Sequence, residues 1–239
     1  MPTDQEIVEA VYAALERSPQ VNLHSYPMEV ACRDGVVTIA GEVEGIAAKK
    51  VALEVAAASP GASGVVDRVR VEPAEHMEDG EIRTHICDAL LEEPAFDEYS
   101  VKAMVKGEWE PVRVTKGEYF FEVEVNQGVL VLNGKVQSIS HKRLAGVLAW
   151  WVPGSRDVVN GLEIYPPMSD SDDEIVDAVL LVLEKDPFVN ASQIRISCRN
   201  AIVTLDGTVA LERGRDVAEA DAWYVFAVNG VVNNLVVTG

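Results

Sequence analysis

Apolar residues in this chain switch between a helical and a strand period, and the switch occurs three times in the same order. Asp172-Asp173-Glu174 precede Ile175, Val176, Val179, Leu180 and Leu183, a three-and-four spacing that lays one apolar stripe along a helix. Ile7 and Leu15, and Ile82 and Leu90, mark the same stripe, eight residues apart each time. A proline lies four residues past each last leucine (Pro19, Pro94, Pro187). Proline has no amide hydrogen and clashes with the preceding turn, so it closes the helix. The acidic opening suits the positive end of the helix dipole.

Two β-like runs follow each helix. The second is Val36 to Ile39, Val129 to Leu132 or Ile202 to Leu205, and it runs into Gly41, Gly134 or Gly207. The intervening turns are Arg33-Asp34-Gly35, Asn126-Gln127-Gly128 and Arg199-Asn200-Ala201. Asp-Gly and Asn-x-Gly are hairpin turns because glycine adopts positive φ cheaply. Ala201 replaces the glycine in the third copy, so a different turn type is expected there. Glycine weakens a strand, and three recurrences call for close approach of a helix or a bulge. The glycines are read as structural rather than as ligand-binding.

A second helix follows, with Val51, Leu144 or Val217 ten residues past the glycine and Ala58, Trp151 or Tyr224 at seventeen. Pro60-Gly61 and Pro153-Gly154 break it in two copies. A last strand carries Val66, Val159 or Val232, then Asp67, Asn160 or Asn233, then Val69, Leu162 or Leu235. Such agreement at fixed offsets identifies three copies of one folding unit. The strand–helix–strand part is a right-handed crossover with parallel strands. The expected fold class is α+β, as three tandem αββαβ modules, each a three-stranded mixed sheet with both helices on one face. The expected bounds are 1–73, 78–167 with an inserted aromatic hairpin, and 169–239.

The strand ending Gly-x-Val, the helix, and the following Pro-Gly and Val-Val-Asn-x-Leu resemble the BON domain, a bacterial module named for osmotically induced periplasmic and nodulation proteins. The resemblance covers nearly the whole chain. It implies a non-enzymatic interaction module, a link to stress response, and association with phospholipid or cell-envelope interfaces.

The net charge is −19, and acids outnumber bases in every module. Nucleic acid is excluded as a partner, because phosphate binding needs a basic footprint. Met1-Pro2-Thr3-Asp4 carries no basic n-region or apolar h-region, so cytoplasmic location is the expectation, with a periplasmic one if a leader has been removed. No apolar run approaches membrane-spanning length. Cys32, Cys87 and Cys198 are expected as free thiols, without the Cys-x-x-Cys spacing of a metal site. His24, His76, His85 and His141 do not recur between modules, and no phosphate loop or nucleophile elbow occurs. Neither catalysis, cofactor nor metal is expected. The acidic run Asp170 to Glu174 lacks the glycine and distal glutamate of a calcium loop and reads as a capped helix start.

Two features are candidates for interaction. A basic residue lies eight positions past each repeat glycine: Lys49, Lys142 and Arg215, with Lys50 and Arg143 adjacent. These read either as a basic spot for a headgroup or an acidic partner, or as a solvated face balanced by pairs such as Lys50–Glu54 and Arg215–Glu219. Module 2 also holds an insertion near Lys106 to Phe121 with Trp109, Tyr119, Phe120 and Phe121, and Trp150-Trp151 close its second helix. Packing between modules is the expected use of these aromatics, with an external partner the alternative. The resulting expectation is a binding protein of phospholipid surfaces; the alternative is a cytoplasmic protein adaptor or self-assembling scaffold.

Overall fold

A computed structural model describes residues 2–168 and 170–238. Met1, Ser169 and Gly239, expected as module ends, lie outside the described residues. The chain divides into two compact units, Met1–Glu72 and Pro73–Gly239.

The first unit is a single αββαβ module. Its elements are α1 (Asp4–Leu15), β1 (Met28–Arg33), β2 (Val36–Val43), α2 (Ile46–Ala58) and β3 (Gly64–Val71). Thr3 and Glu6 form a reciprocal cap that starts α1. β2 lies centrally, antiparallel to β1 and parallel to β3. Ile7, Val11 and Leu15 of α1, Ala52 and Ala56 of α2, and Val37, Ile39 and Val69 of the sheet are all buried.

The second unit holds two more modules. One comprises α3 (Asp79–Glu92), β4 (Ser100–Val105), β5 (Glu108–Arg113), β6 (Phe120–Asn126), β7 (Val129–Val136), α4 (Ile139–Trp151), β8 (Asp157–Asn160) and β9 (Glu163–Ile164). The other comprises α5 (Asp172–Lys185), β10 (Ile194–Arg199), β11 (Ile202–Val209), α6 (Glu212–Tyr224) and β12 (Gly230–Val237). Ser171 caps α5 by accepting from the Glu174 amide, so the acidic run is a helix start.

Three expectations change. The sheet of module 2 is six-stranded rather than three-stranded, in the order β5-β4-β6-β7-β8 with β9 also on β7. The added segment begins earlier than Lys106: it forms the β4–β5 hairpin, whose β4 runs parallel to β6, while Phe120 and Phe121 belong to β6, and the last strand is split between β8 and β9. The third hairpin turn is not a different type. Asn200 and Ala201 have φ of 53° and 61°, beside 53° and 78° at Asp34 and Gly35. Ala201 therefore adopts the left-handed conformation that glycine holds in the other copies. The repeat glycines, finally, answer to a strand rather than to a helix. Gly41, Gly134 and Gly207 have φ of 141°, 129° and 141°. A Cβ there would crowd the backbone at the start of the neighbouring strand, at the carbonyls of Pro27, Phe120 and Gln193.

Candidate functional site

One polar device recurs in all three modules. The Asp4 carboxylate accepts the amides of Asp34 and Gly35, each at 3.0 Å. Asp79 accepts those of Gln127 and Gly128, each at 2.9 Å. Asp172 accepts those of Asn200 and Ala201 at 2.8 and 2.9 Å. The first helix of each module thus clamps its own hairpin turn. The amide of Gly35, then the Cys32 thiol and the Asp34 amide, hold Asp4 below the ordinary carboxylate range. The Ala201 and Asn200 amides do the same for Asp172. Cys32 and Cys198 donate their thiols to these two carboxylates, and all three cysteines are free. Burial and then Asp172 push the Cys198 thiol up to about 11, which makes it a poor nucleophile.

The recurring cations do not share one environment. Lys49 is buried, with Nζ 2.8 Å from Asp67 and 2.7 Å from the Val69 carbonyl. Lys142 is half-buried with Nζ 5.3 Å from the Phe226 ring, and burial lowers its pKa. Arg215 is partly exposed and pairs with Glu212 at 2.8 Å. Its anticipated partner Glu219 instead accepts from the Asn233 side chain. The aspartate or asparagine of the last strand explains part of the recurrence. Asp67, Asn160 and Asn233 each accept the amide two residues on, and Asn160 and Asn233 also donate to the carbonyls of Lys142 and Arg215.

Arg143 joins modules 2 and 3. Its side chain is fully buried; Nη2 lies 2.8 and 2.9 Å from the two Asp170 oxygens, and Nε donates to the Phe226 carbonyl at 3.1 Å. Nearby, Trp151 donates its indole N–H to Asp221 at 2.9 Å, and the Trp150 and Tyr224 rings stack at 5.9 Å. Lys185 reaches Glu93 at 2.9 Å, and Leu181 of α5 packs against the core of module 2. Trp150, Trp151 and Arg143 are therefore parts of an intermodule contact. Asp221 is almost fully buried, and its second oxygen lacks a hydrogen-bond partner among the described residues. Burial pushes its pKa up to about 7, opposed by the Trp151 bond and assisted by the adjacent Asp186.

The insertion aromatics behave differently from the Trp150-Trp151 pair. Phe121 is fully buried in the core of its own module, with Phe96 and Tyr99 at 4.9 and 5.0 Å between ring centres. Trp109 is 39% exposed on β5, with the Lys102 ammonium 5.1 Å from its ring. Packing between modules therefore involves Trp150 and Trp151, while Phe121 serves its own sheet.

A module 3 feature escaped the sequence reading. A cleft of about 390 Å³ lies between the loop Pro187 to Asn190 and the start of α6. Leu211 and Phe188 at its rim are 68% and 59% exposed, and the Arg213 guanidinium sits 4.4 Å from the Phe188 ring centre. Phe188 and Leu211 lie outside the repeated positions: their counterparts are Gln20 and Gly45 in module 1 and Ala95 and Ser138 in module 2. The signal was two isolated apolar residues beside a loop and a helix start, which helical periodicity does not flag. Among the described residues, no cluster of His, Cys, Asp and Glu is arranged to hold a metal, and no helix is long and apolar enough to cross a membrane.

No curated protein matches the chain. Among solved structures it is similar to the C-terminal domain of CdsD, described as the structural protein of the type III secretion system of Chlamydia trachomatis. Identity is 14%, all of both chains is covered, and the TM-score is 0.26. A second CdsD structure covers 97% of this chain and 92% of its own at 14% identity and a TM-score of 0.25. The BON domain profile matches residues 3–73, 114–166 and 171–239. With most of its length matched in three segments, each carrying the repeat glycine and the Asp/Asn strand, the chain belongs to the BON domain family.

Proposed function

We propose that this chain is a non-enzymatic binding protein that docks on phospholipid surfaces through module 3. The three modules are taken as 1–73, 78–167 and 169–239. The observation that carries the reading is the rim of the module 3 cleft, where exposed Phe188 and Leu211 flank the Arg213 guanidinium. Apolar side chains gain by leaving water for the acyl boundary, and the guanidinium suits an anionic headgroup. Lys142 beside the exposed Phe226 ring repeats that combination on a smaller scale. Arg143 has no part in such docking, because Asp170 and Phe226 enclose it. Family membership supports a binding role, since BON domains are generally non-catalytic.

Co-sedimentation with anionic and neutral vesicles at low and moderate salt tests this. Binding to anionic vesicles is expected, with loss in the Phe188→Ala/Leu211→Ala double variant and weaker anion preference in Arg213→Ala. Absence of binding to both vesicle types overturns the reading. It would favour a protein adaptor, which the net charge of −19 also favours, because that charge opposes approach to anionic lipid.

A further inference from the structure

The outer strands of the three sheets differ in one respect. β3 carries Asp67, Arg68 and Arg70, and β10 carries Arg195 and Arg199. β1 has Glu29 and Arg33, β5 has Pro111 among charges, and β8 opens on Asp157. Charges and proline on an edge oppose pairing with another chain. β12, Gly-Val-Val-Asn-Asn-Leu-Val-Val over Gly230–Val237, contains neither. It is eight residues long and pairs with β11 alone among the described residues. Val232 and Val236 on its solvent face are 44% and 59% exposed.

We propose that β12 is a self-pairing edge that joins two copies of this chain into a continuous sheet. Residues paired across antiparallel strands point to the same face, so the faces restrict the register. A two-fold axis at Asn234 sets Val232 opposite Val236 of the second copy, Asn234 opposite itself, and Val231 opposite Val237. The four valines meet valines, Asn233 meets Leu235, and no charge meets its like across the new ladder. The amide of Thr238 donates to the Val209 carbonyl. Alternation therefore turns the peptide groups of Val231, Asn233, Leu235 and Val237 outward. The Asn233 side chain accepts the Leu235 amide, as Asp67 and Asn160 do for their own strands, and would yield that donor to the second copy. A second copy fits better than a charged partner, because the strand offers nothing ionic to one. The net charge of −19 on each copy opposes approach, so added salt strengthens the pair. Edge pairing alone buries a small interface, of the size found in weak, transient association.

Sedimentation velocity over a concentration series reaching about 200 μM, at low and moderate salt, tests for such weak association. A monomer–dimer equilibrium that shifts towards dimer with salt is expected. Val236→Lys should weaken it about tenfold or more, since a charge is then buried against Val232. Val66→Lys on β3 should leave it unchanged, with both variants showing wild-type circular dichroism and melting. Asn234→Cys, under mild oxidation, should give a cross-link mapped by mass spectrometry between the two copies of position 234. Thr204→Cys, one strand further in, should give none. A monomer throughout, a dimer indifferent to Val236→Lys, or open-ended aggregation in place of a dimer overturns the proposal.

Discussion

Module 1 and the pair formed by modules 2 and 3 use one αββαβ plan for different ends. Module 1 makes a compact unit by itself, whereas modules 2 and 3 share one. The difference lies in positions that the repeat leaves free. Nine residues past the glycine stand Lys50, Arg143 and Asp216; fourteen past stand Val55, Leu148 and Asp221; seventeen past stand Ala58, Trp151 and Tyr224. Arg143, Trp151, Asp221 and Tyr224 are among the groups that meet between modules 2 and 3. The core face of each second helix is repeated, and the opposite face decides what the module packs against.

The largest expected effect is common to all modules and tests the shared plan. Gly134→Ala should cost about 3 kcal/mol or more, because it combines a positive φ with overlap on the Phe120 carbonyl. Gly41→Ala should cost less, since its nearest neighbour, the Pro27 carbonyl, is 3.0 Å away. Urea denaturation followed by circular dichroism measures both. Equal, negligible costs would remove the steric account of the repeat.

Next come the groups specific to the pair. Asp170→Ala should destabilise by about 3 kcal/mol, because it leaves the fully buried Arg143 without its counter-charge. Arg143→Met should cost less. The Asp170 side chain is already 43% exposed and rehydrates, while the methionine keeps much of the packing. The reverse order would show that the arginine is less enclosed than its geometry indicates.

Asp221 gives a pH dependence of the opposite sign to most carboxylates. Its folded pKa of about 7 lies above the unfolded value of about 3.9. The unfolded state therefore releases the proton more readily, and this group's contribution falls as pH rises from about 4 to 7. Asp221→Asn keeps an acceptor for Trp151 and carries no charge to desolvate. It should raise stability at pH 8 by about 1–3 kcal/mol and flatten that part of the profile. Unchanged pH dependence in thermal melts between pH 4 and 8 would contradict the assignment.

The smallest effect distinguishes module 3 from its siblings. Ala201→Gly should stabilise by about 1 kcal/mol by relieving a left-handed alanine, whereas Gly35→Ala and Gly128→Ala should destabilise. Differential scanning calorimetry of the three variants provides the comparison.

The pattern of apolar residues made the fold legible because burial is what the repeat preserves. The apolar stripes, the proline stops and the crossover all follow from positions that must face a core. The Asp4–Asp79–Asp172 clamp was also visible, three residues before the first apolar position of each helix, but it read as ordinary acidic helix starts. Its partners are turn amides about thirty to fifty residues away, and a periodicity argument does not pair residues at that separation. The environment of the cations was hidden for a similar reason. Lys49 and Arg215 occupy one repeat position, yet Asp67 against Asn233 in the last strand gives one an ion pair and the other only a backbone bond. The six-stranded sheet depended on where β4 pairs, which local alternation along the insertion leaves open.

A double-mutant cycle on Arg143 and Asp170 tests most directly that modules 2 and 3 are held together by the ion pair of a buried arginine with a partly exposed aspartate. With Arg143→Met, Asp170→Ala and the combination measured by urea unfolding, the account expects the combined loss to fall short of the sum by about 2 kcal/mol. Losses that add to within about 0.5 kcal/mol would contradict it.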